Sequence, residues 1–572
     1  MHPLFEVPAA HRAAWPARVP WQLPSCETTL WDNLDITARR YPEKAALIFF
    51  GRPFPYAELH REVEKLAGWL MHEAGVQHGD RVLVALQNSP QLVIAYLGIL
   101  RAGAVIVPSN PMSKAAEFAH SIGDSGARVA IVAADLLDHV AASADHLPPA
   151  AQLRQIVVTR YRDATPAVIH QAEQPPAAWQ SWLDADPALP SHAVRWTSVM
   201  ERALTPAAYR GLADDLAAIC YTSGTTGKPK GCMHTHRSLG HNVRAGPLWN
   251  GTSASDVMLG VVPAFHITGM QFCVHQTLYL GSTVVLMPRW DRDLAGRLIA
   301  RHQVTGWTNI PTMVIDLLAS PRLDALDLSS LRYIGGGGAA MPEAVAARLR
   351  ERYGLDYVEG YGLTETAAPS HSNPPQAARR QCLGIPYIGV DSRVVDPDSR
   401  RALPPGETGE IVIHGPQIFV GYWQRPAETA LAFIELDGKR FFRSGDLGRV
   451  DAEGYFYIAD RLKRMINASG FKVWPAEVEN QLFAHPAIQE ACVIGTHDAY
   501  RGETVKAVVV LRAEYRGRIS AEAIEHWSRE RMAAFKVPRV IEFADVLPKS
   551  GSGKVMWRQL QEQESDRAAG AS

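Results

Sequence analysis

No two of the six cysteines, Cys26, Cys220, Cys232, Cys273, Cys382 and Cys492, form a C-x-x-C pair. Neither a disulfide framework nor a thiolate zinc site is indicated, and a reducing cytoplasm fits. Excess charge is also missing: 58 Lys and Arg against 59 Asp and Glu leave a formal net charge of -1. A general electrostatic case for nucleic acid or an anionic membrane therefore falls away, and a small-molecule substrate is expected. Residues Met1 to Glu6 lack the basic start and apolar core of a signal peptide. The longest apolar tract, Leu92 to Val107, is cut by Arg101 and Gly103, so it reads as a buried helix and a strand rather than a membrane span. There is no internal repeat and no heptad array.

What the chain does have is Tyr221-Thr222-Ser223-Gly224-Thr225-Thr226-Gly227-Lys228-Pro229-Lys230-Gly231. Glycines let backbone N–H groups approach an anion, hydroxyls add donors and lysines add charge, a composition suited to a polyphosphate. It is not a Walker A loop, because Thr222 stands where that pattern's first glycine belongs and Pro229 follows Lys228. A flexible surface loop is the bland alternative. Against it, the apolar Leu216 to Tyr221 reads as a buried strand that anchors the segment.

At 572 residues the chain can bury more than one core. Strand-like Ala45 to Phe50 precedes an amphipathic helix over Tyr56 to Glu73, with Leu59, Val63, Leu66 and Leu70 on one face. Val82 to Leu86, a helix capped by Ser89 and started by Pro90, Val105 to Val107 and Ala127 to Val132 continue the alternation. The fold class is α/β: a large N-terminal domain of helix-covered parallel sheets. Leu136 to Asp215, with one convincing strand at Ile156 to Val158, reads as a peripheral excursion. Alternation resumes at Val257 to Leu259, Thr283 to Leu286 and Leu331 to Ile334, and shorter strands such as Gly409 to His414 and Tyr455 to Ile458 predict a β-rich subdomain. Beyond residue 460 the pattern resets to a small α+β domain, with a helix over Ala476 to Phe483, strands at Ala491 to Ile494 and Val505 to Leu511, and a helix opened by Ser520.

Further segments stand in a fixed order after the loop: Gly336-Gly337-Gly338-Ala339, Gly360-Tyr361-Gly362-Leu363-Thr364-Glu365, Ser444-Gly445-Asp446-Leu447, Asp460-Arg461-Leu462-Lys463, Ser469-Gly470-Phe471-Lys472 and Pro548-Lys549-Ser550-Gly551-Ser552-Gly553-Lys554. With the loop they resemble the adenylate-forming superfamily over roughly residues 30 to 560, and most closely its medium- and long-chain fatty acyl-CoA synthetases. The resemblance implies an ATP-dependent acid-CoA ligase, in which a carboxylic acid becomes acyl-AMP with release of pyrophosphate and the acyl group then passes to CoA. It implies domains at 1–460 and 465–572, joined by a hinge at 461–464 centred on Lys463, the small domain being mobile.

The resemblance also implies roles for single residues. Thr222, Ser223, Gly224, Thr225, Thr226, Gly227 and Lys230 grip the β- and γ-phosphates, with Gly338, Ala339 and Gly362 also at the nucleotide. Tyr361 stacks on adenine, while Asp446 and Arg461 meet the ribose. Thr364 and Glu365 contact the α-phosphate and Mg²⁺, Glu365 being the metal ligand. Lys554 bridges the acid's carboxylate and the α-phosphate, steadying charge in the transition state. Ser469, Gly470 and Phe471 line the CoA path. His266, in Pro263-Ala264-Phe265-His266-Ile267-Thr268-Gly269-Met270, gates the thiol and faces the acid, with Trp307, Asn309, Gly336, Gly337 and Gly338 as pocket walls. Singly, each residue has an ordinary structural reading as turn, core or solvated surface; the joint pattern favours function. No Asp stands in the His266 segment to pair a substrate ammonium, so an amino acid substrate is disfavoured. Aryl or other small organic acids stay open as substrates, a carrier protein stays open as acceptor, and a homodimer is left open by the sequence.

Overall fold

The apolar tract settles as a helix, Pro90–Arg101, buried on every side, followed by strand Val105–Pro108. Ser89 caps that helix, its hydroxyl accepting from Leu92 N at 3.2 Å, and Pro90 occupies the first turn, where no N–H is needed. The computed structural model describes residues 7–222, 229–461, 464, 466–468, 471–498, 502–550 and 553–570.

Two large mixed sheets and this helix share one core. One runs from Gly421–Tyr422 through Gly231–Thr235, Leu216–Tyr221, Val105–Pro108, Arg81–Ala85, Val129–Ala133 and Gln155–Thr159 to Ala193–Arg195. The other runs from Ile385–Pro386 through Ala368–Ser372, Tyr357–Leu363, Tyr333–Gly336, Gly306–Asn309, Val257–Gly260, Thr283–Leu286 and Ala45–Phe49 to Arg52–Pro55. Six neighbouring strands of the second sheet, from Tyr357–Leu363 to Ala45–Phe49, are parallel, so their C-terminal ends form one rim. A five-stranded antiparallel sheet built on Lys439–Val450 follows, matching the expected β-rich subdomain.

The last sheet, built on Ile488–Asp498 and Gly502–Leu511, has a core of its own with helices Pro475–Phe483 and Ala521–Arg529. Ser520 caps the second helix as expected, accepting from Ala523 N. This unit touches the rest of the chain through reciprocal amide hydrogen bonds between Asn480 and Gln381.

The stretch from Leu136 to Asp215 is more integrated than a peripheral excursion. It adds two parallel edge strands to the sheet, and the second, Ala193–Arg195, carries no long apolar run that would reveal it. The stretch is pinned across the sheets by Glu173, fully buried and paired with Arg301 at 2.7 Å and His302 at 3.1 Å. A buried carboxylate keeps its charge only with such partners.

Five buried histidines, His234, His236, His241, His275 and His371, have pKa values pushed down to about 3 or 4 by desolvation. The unfolded chain takes up these protons near pH 6.5, while the folded chain refuses them until far lower pH. Stability should therefore fall as pH drops from 6.5 towards 4, by up to about 1.4 kcal/mol per pH unit for each histidine. Urea midpoints measured between pH 7.5 and 5 are expected to fall steadily on the acid side; a flat profile would contradict this.

Candidate active site

Among the described candidates, Gly336, Gly337, Gly338, Gly362, His266 and Lys554 lie about the rim of the second sheet, where parallel strands end and loops take over. Three of these glycines answer to backbone geometry. A Cβ at Gly336 would lie 1.8 Å from the Asn309 carbonyl oxygen, and one at Gly337 would lie 2.2 Å from that of Gly360. One at Gly362 would lie 1.9 Å from the Ala368 oxygen. These glycines let neighbouring backbones close up.

Gly338 is different: its φ is +88°, and a Cβ there would lie 2.6 Å from Lys554 Cε and 3.2 Å from Lys554 Nζ. The lysine arrives from the other end of the chain on a tight hairpin, in which Ser550 N donates to Lys554 O at 2.8 Å. Gly553, at φ +78°, lets that hairpin lie against Ile310. His266 belongs to the same neighbourhood. Its Nδ1 accepts from Thr268 N at 3.4 Å, and desolvation together with the nearby Lys554 charge pushes its pKa down to about 3. The half-buried imidazole is neutral at physiological pH.

On the opposite flank, Thr364 and Glu365 form a short turn, Thr364–Thr366. Buried His234 donates from Nε2 to the Thr364 carbonyl at 2.8 Å, the tautomer being set by that bond. Beyond the turn Ala367 and Ala368 sit at φ +52° and +71°, a costly conformation for two alanines, on the order of 1–3 kcal/mol each. Asn242 holds them there, its Nδ2 donating to the carbonyls of Thr366, Ala367 and Pro369. Glu365 accepts from the Tyr422 hydroxyl at 2.9 Å, and Lys230 lies 4.4 Å over the Tyr422 ring and 3.1 Å from Glu428. The loop's lysine, Tyr422 and Glu365 thus form one chain of contacts.

Tyr361 donates to Asp446 Oδ2 at 2.6 Å, both residues being buried, and Asp446 lies opposite Arg461 in the strand ladder. The two ribose candidates and the adenine candidate are therefore brought together. At the loop's neck Thr222 N donates to Lys230 O at 2.9 Å. Ser223, Gly224, Thr225, Thr226, Gly227 and Lys228 lie outside the described residues, as do Lys463, Ser469, Gly470 and the side chains of Arg461 and Phe471. Ala339 is exposed beside Gly338.

Of the two expected pocket walls on strand Gly306–Asn309, Asn309 touches Gly336 through its carbonyl. Trp307 is fully buried and stacks on Trp290 at 5.4 Å, ring planes 7° apart, and Asn309 accepts from the Tyr357 hydroxyl at 3.1 Å while donating to the Trp307 carbonyl. Alternation along the strand puts both on one face, and the residue between them, Thr308, on the other. Thr308 lines a cleft with Met258, Phe272 and Tyr333. Tyr422, His234, Asn242 and Thr308 went unmarked in the sequence because each is an ordinary residue outside the motifs; the strand period would have separated Thr308 from Trp307 had Gly306–Asn309 been recognised as a strand.

Residues 34–423 match the family model described as AMP-binding enzyme, and residues 477–554 match AMP-binding enzyme C-terminal domain. The chain is 35% identical over 560 residues to a long-chain-fatty-acid–CoA ligase of Bacillus subtilis (strain 168), covering 97% of this chain and 98% of the relative. It is 36% identical over 522 residues to a feruloyl-CoA synthase of Amycolatopsis sp, covering 91% and 96%. Among solved structures, the anthranilate CoA ligase AuaEII in complex with anthranoyl-AMP superposes with a TM-score of 0.84 at 28% identity, covering 96% of this chain and 99% of that one.

Gly338→Ala tests the seat of Lys554. Its left-handed φ alone costs an alanine about 1–2 kcal/mol, and the new methyl would displace the lysine. Pyrophosphate release from ATP is expected to drop at least about tenfold while circular dichroism stays that of the parent; unchanged release would show that the seat is irrelevant.

Proposed function

The chain belongs to the AMP-binding enzyme family, an adenylate-forming acid-CoA ligase, and on that premise we propose how its residues divide the two reactions. The single observation that carries the assignment is Lys554 set against Gly338 beside His266, since it joins the far ends of the chain at one rim. In the first reaction the acid's carboxylate oxygen attacks the α-phosphorus of ATP, and the bond to the departing pyrophosphate breaks. Negative charge grows on the α-phosphate as this happens. Lys554, the only group of this set delivered by the small domain, neutralises it.

The loop from Thr222 to Lys230 holds the two departing phosphates, with Lys230 steered by Glu428 and Tyr422. Tyr361 stacks on the adenine and Asp446 takes the ribose hydroxyls, with Arg461 adjacent. Thr364 meets the α-phosphate. Glu365 would hold Mg²⁺ through a hard carboxylate oxygen of the kind that ion prefers, on a carboxylate already oriented by the Tyr422 hydroxyl. When bound, that ion offsets phosphate charge.

In the second reaction the CoA thiol displaces AMP from the acyl carbon. The hinge at 461–464, centred on Lys463, swings the small domain, 465–572, away from the 1–460 domain's adenylating contacts, so that Lys554 gives way to the Ser469-Gly470-Phe471 segment along the pantetheine. Neutral His266 gates the thiol's approach. The six free cysteines are all buried, consistent with work in a reducing cytoplasm. Among the described residues no helix is long and apolar enough to cross a membrane.

A fatty acid, medium- to long-chain, is the proposed substrate, supported by near full-length similarity to the Bacillus subtilis ligase. An aryl acid is the second reading, favoured by the feruloyl-CoA synthase similarity. One experiment tests reaction, acceptor and the role of Lys554 together: pyrophosphate release with straight, branched and aromatic acids, with and without CoA, for the parent and Lys554→Ala. The parent should form thioester with free CoA. The variant should lose on the order of 10²-fold or more in adenylation, yet keep most of its thioester formation from supplied acyl-adenylate. Equal loss in both half-reactions would remove the two-pose division of labour, and acyl transfer to a holo carrier protein alone would replace CoA as the acceptor.

A further inference from the structure

The face of the sheet turned to the Thr308 cleft is built in two rows. In-register pairing sets Thr308 beside Gly335, and Gly260 falls in the same row; one step deeper lie Met258, Gly306 and Tyr333. The upper row is small throughout. The deeper row is large, small, large, with a notch at Gly306.

Met258 fills that notch. A Cβ on Gly306 would lie 2.7 Å from both Cε and Sδ of Met258 and 3.8 Å from the Tyr333 ring. Phe272 and Gln276 cover the cleft from the helical layer. The upper row adjoins the rim: Asn309, one residue beyond Thr308, contacts Gly336 through its carbonyl, and Gly338 lies two residues further on. The Thr308 hydroxyl, on a residue 3% exposed, has no hydrogen-bond partner among the described residues, so the space in front of it is where a guest completes its bonding.

Resting on the ligase reading, we propose that Met258 is the depth gate of the acyl slot and Gly306 its seat. The two rows are two residues apart, about 6.6 Å at about 3.3 Å per residue. With the gate closed that depth is too short for a long alkyl tail. A longer tail passes only when the thioether leaves the Gly306 notch, which an unbranched side chain with three rotatable bonds does readily. Met258 is thus a specificity-determining residue, distinct from the groups that carry the phosphate chemistry. It reconciles relatives with compact aryl and with long aliphatic substrates within one slot.

The test compares kcat/KM for butanoate, benzoate and hexadecanoate in the full-length parent, Met258→Ala and Gly306→Val. Removing the thioether should raise the hexadecanoate-to-butanoate ratio by about tenfold or more, the scale of a methylene or two in an apolar pocket. Filling the notch with valine should lower that ratio by a similar factor, and circular dichroism shows whether the variant folds. If Gly306→Val loses every acid, Met258→Ala alone decides. A ratio that stays within about twofold in Met258→Ala overturns the gate. Should no acid support pyrophosphate release in the parent, the ligase reading fails instead. The gate is then judged from hexadecanoate binding by calorimetry, which Met258→Ala should tighten by about tenfold and which an unchanged Kd refutes.

Discussion

The close approach of backbones at the rim of the second sheet is the constraint on which the site depends. Strands Gly306–Asn309, Tyr333–Gly336 and Tyr357–Leu363 converge there because Gly336 and Gly337 carry no Cβ to hold the carbonyls of Asn309 and Gly360 away. Only then can the chain turn at Gly338 and present an open face to Lys554. The same approach puts the Tyr361 hydroxyl on Asp446, drawing the antiparallel subdomain to the sheet.

Around that rim the protein spends stability on shape. Two consecutive alanines are held in left-handed conformation by one asparagine, directly after the carboxylate proposed for Mg²⁺. Strain of this kind persists only where neighbours over-determine it. Buried neutral histidines supply some of those neighbours: His234 fixes the Thr364 carbonyl, and His241 donates to the Ile388 carbonyl at 2.8 Å. The Thr364–Thr366 turn is therefore braced by groups that take no part in the proposed chemistry.

Much of this was legible in the linear chain. Ser89-Pro90 announces a helix start, Leu216 to Tyr221 a buried strand, and residues past 460 a second unit with its own core. The strand Gly306–Asn309 was not legible, since Gly-Trp-Thr-Asn has no apolar alternation and becomes a strand through its parallel neighbours. Trp307 and Asn309, pocket walls by the family resemblance, share one face of that strand, and Thr308 takes the other. Ala193–Arg195 escaped for a similar reason, being an edge strand recruited by Gln155–Thr159.

By itself the sequence determined the kinds of groups available: a glycine- and hydroxyl-rich loop, a carboxylate after a threonine, an aspartate in a turn, a lysine near the far end. Those are matters of residue type and order, which backbone propensity and chemistry fix locally. Only the tertiary structure decided which of them share a space. Lys554 meets Gly338 through a long-range docking of two separate cores, and Tyr422 joins Lys230 to Glu365 through three distant segments. Which face of strand Gly306–Asn309 looks into the Thr308 cleft was likewise decided by pairing register, because a one-residue step along a strand exchanges its two sides.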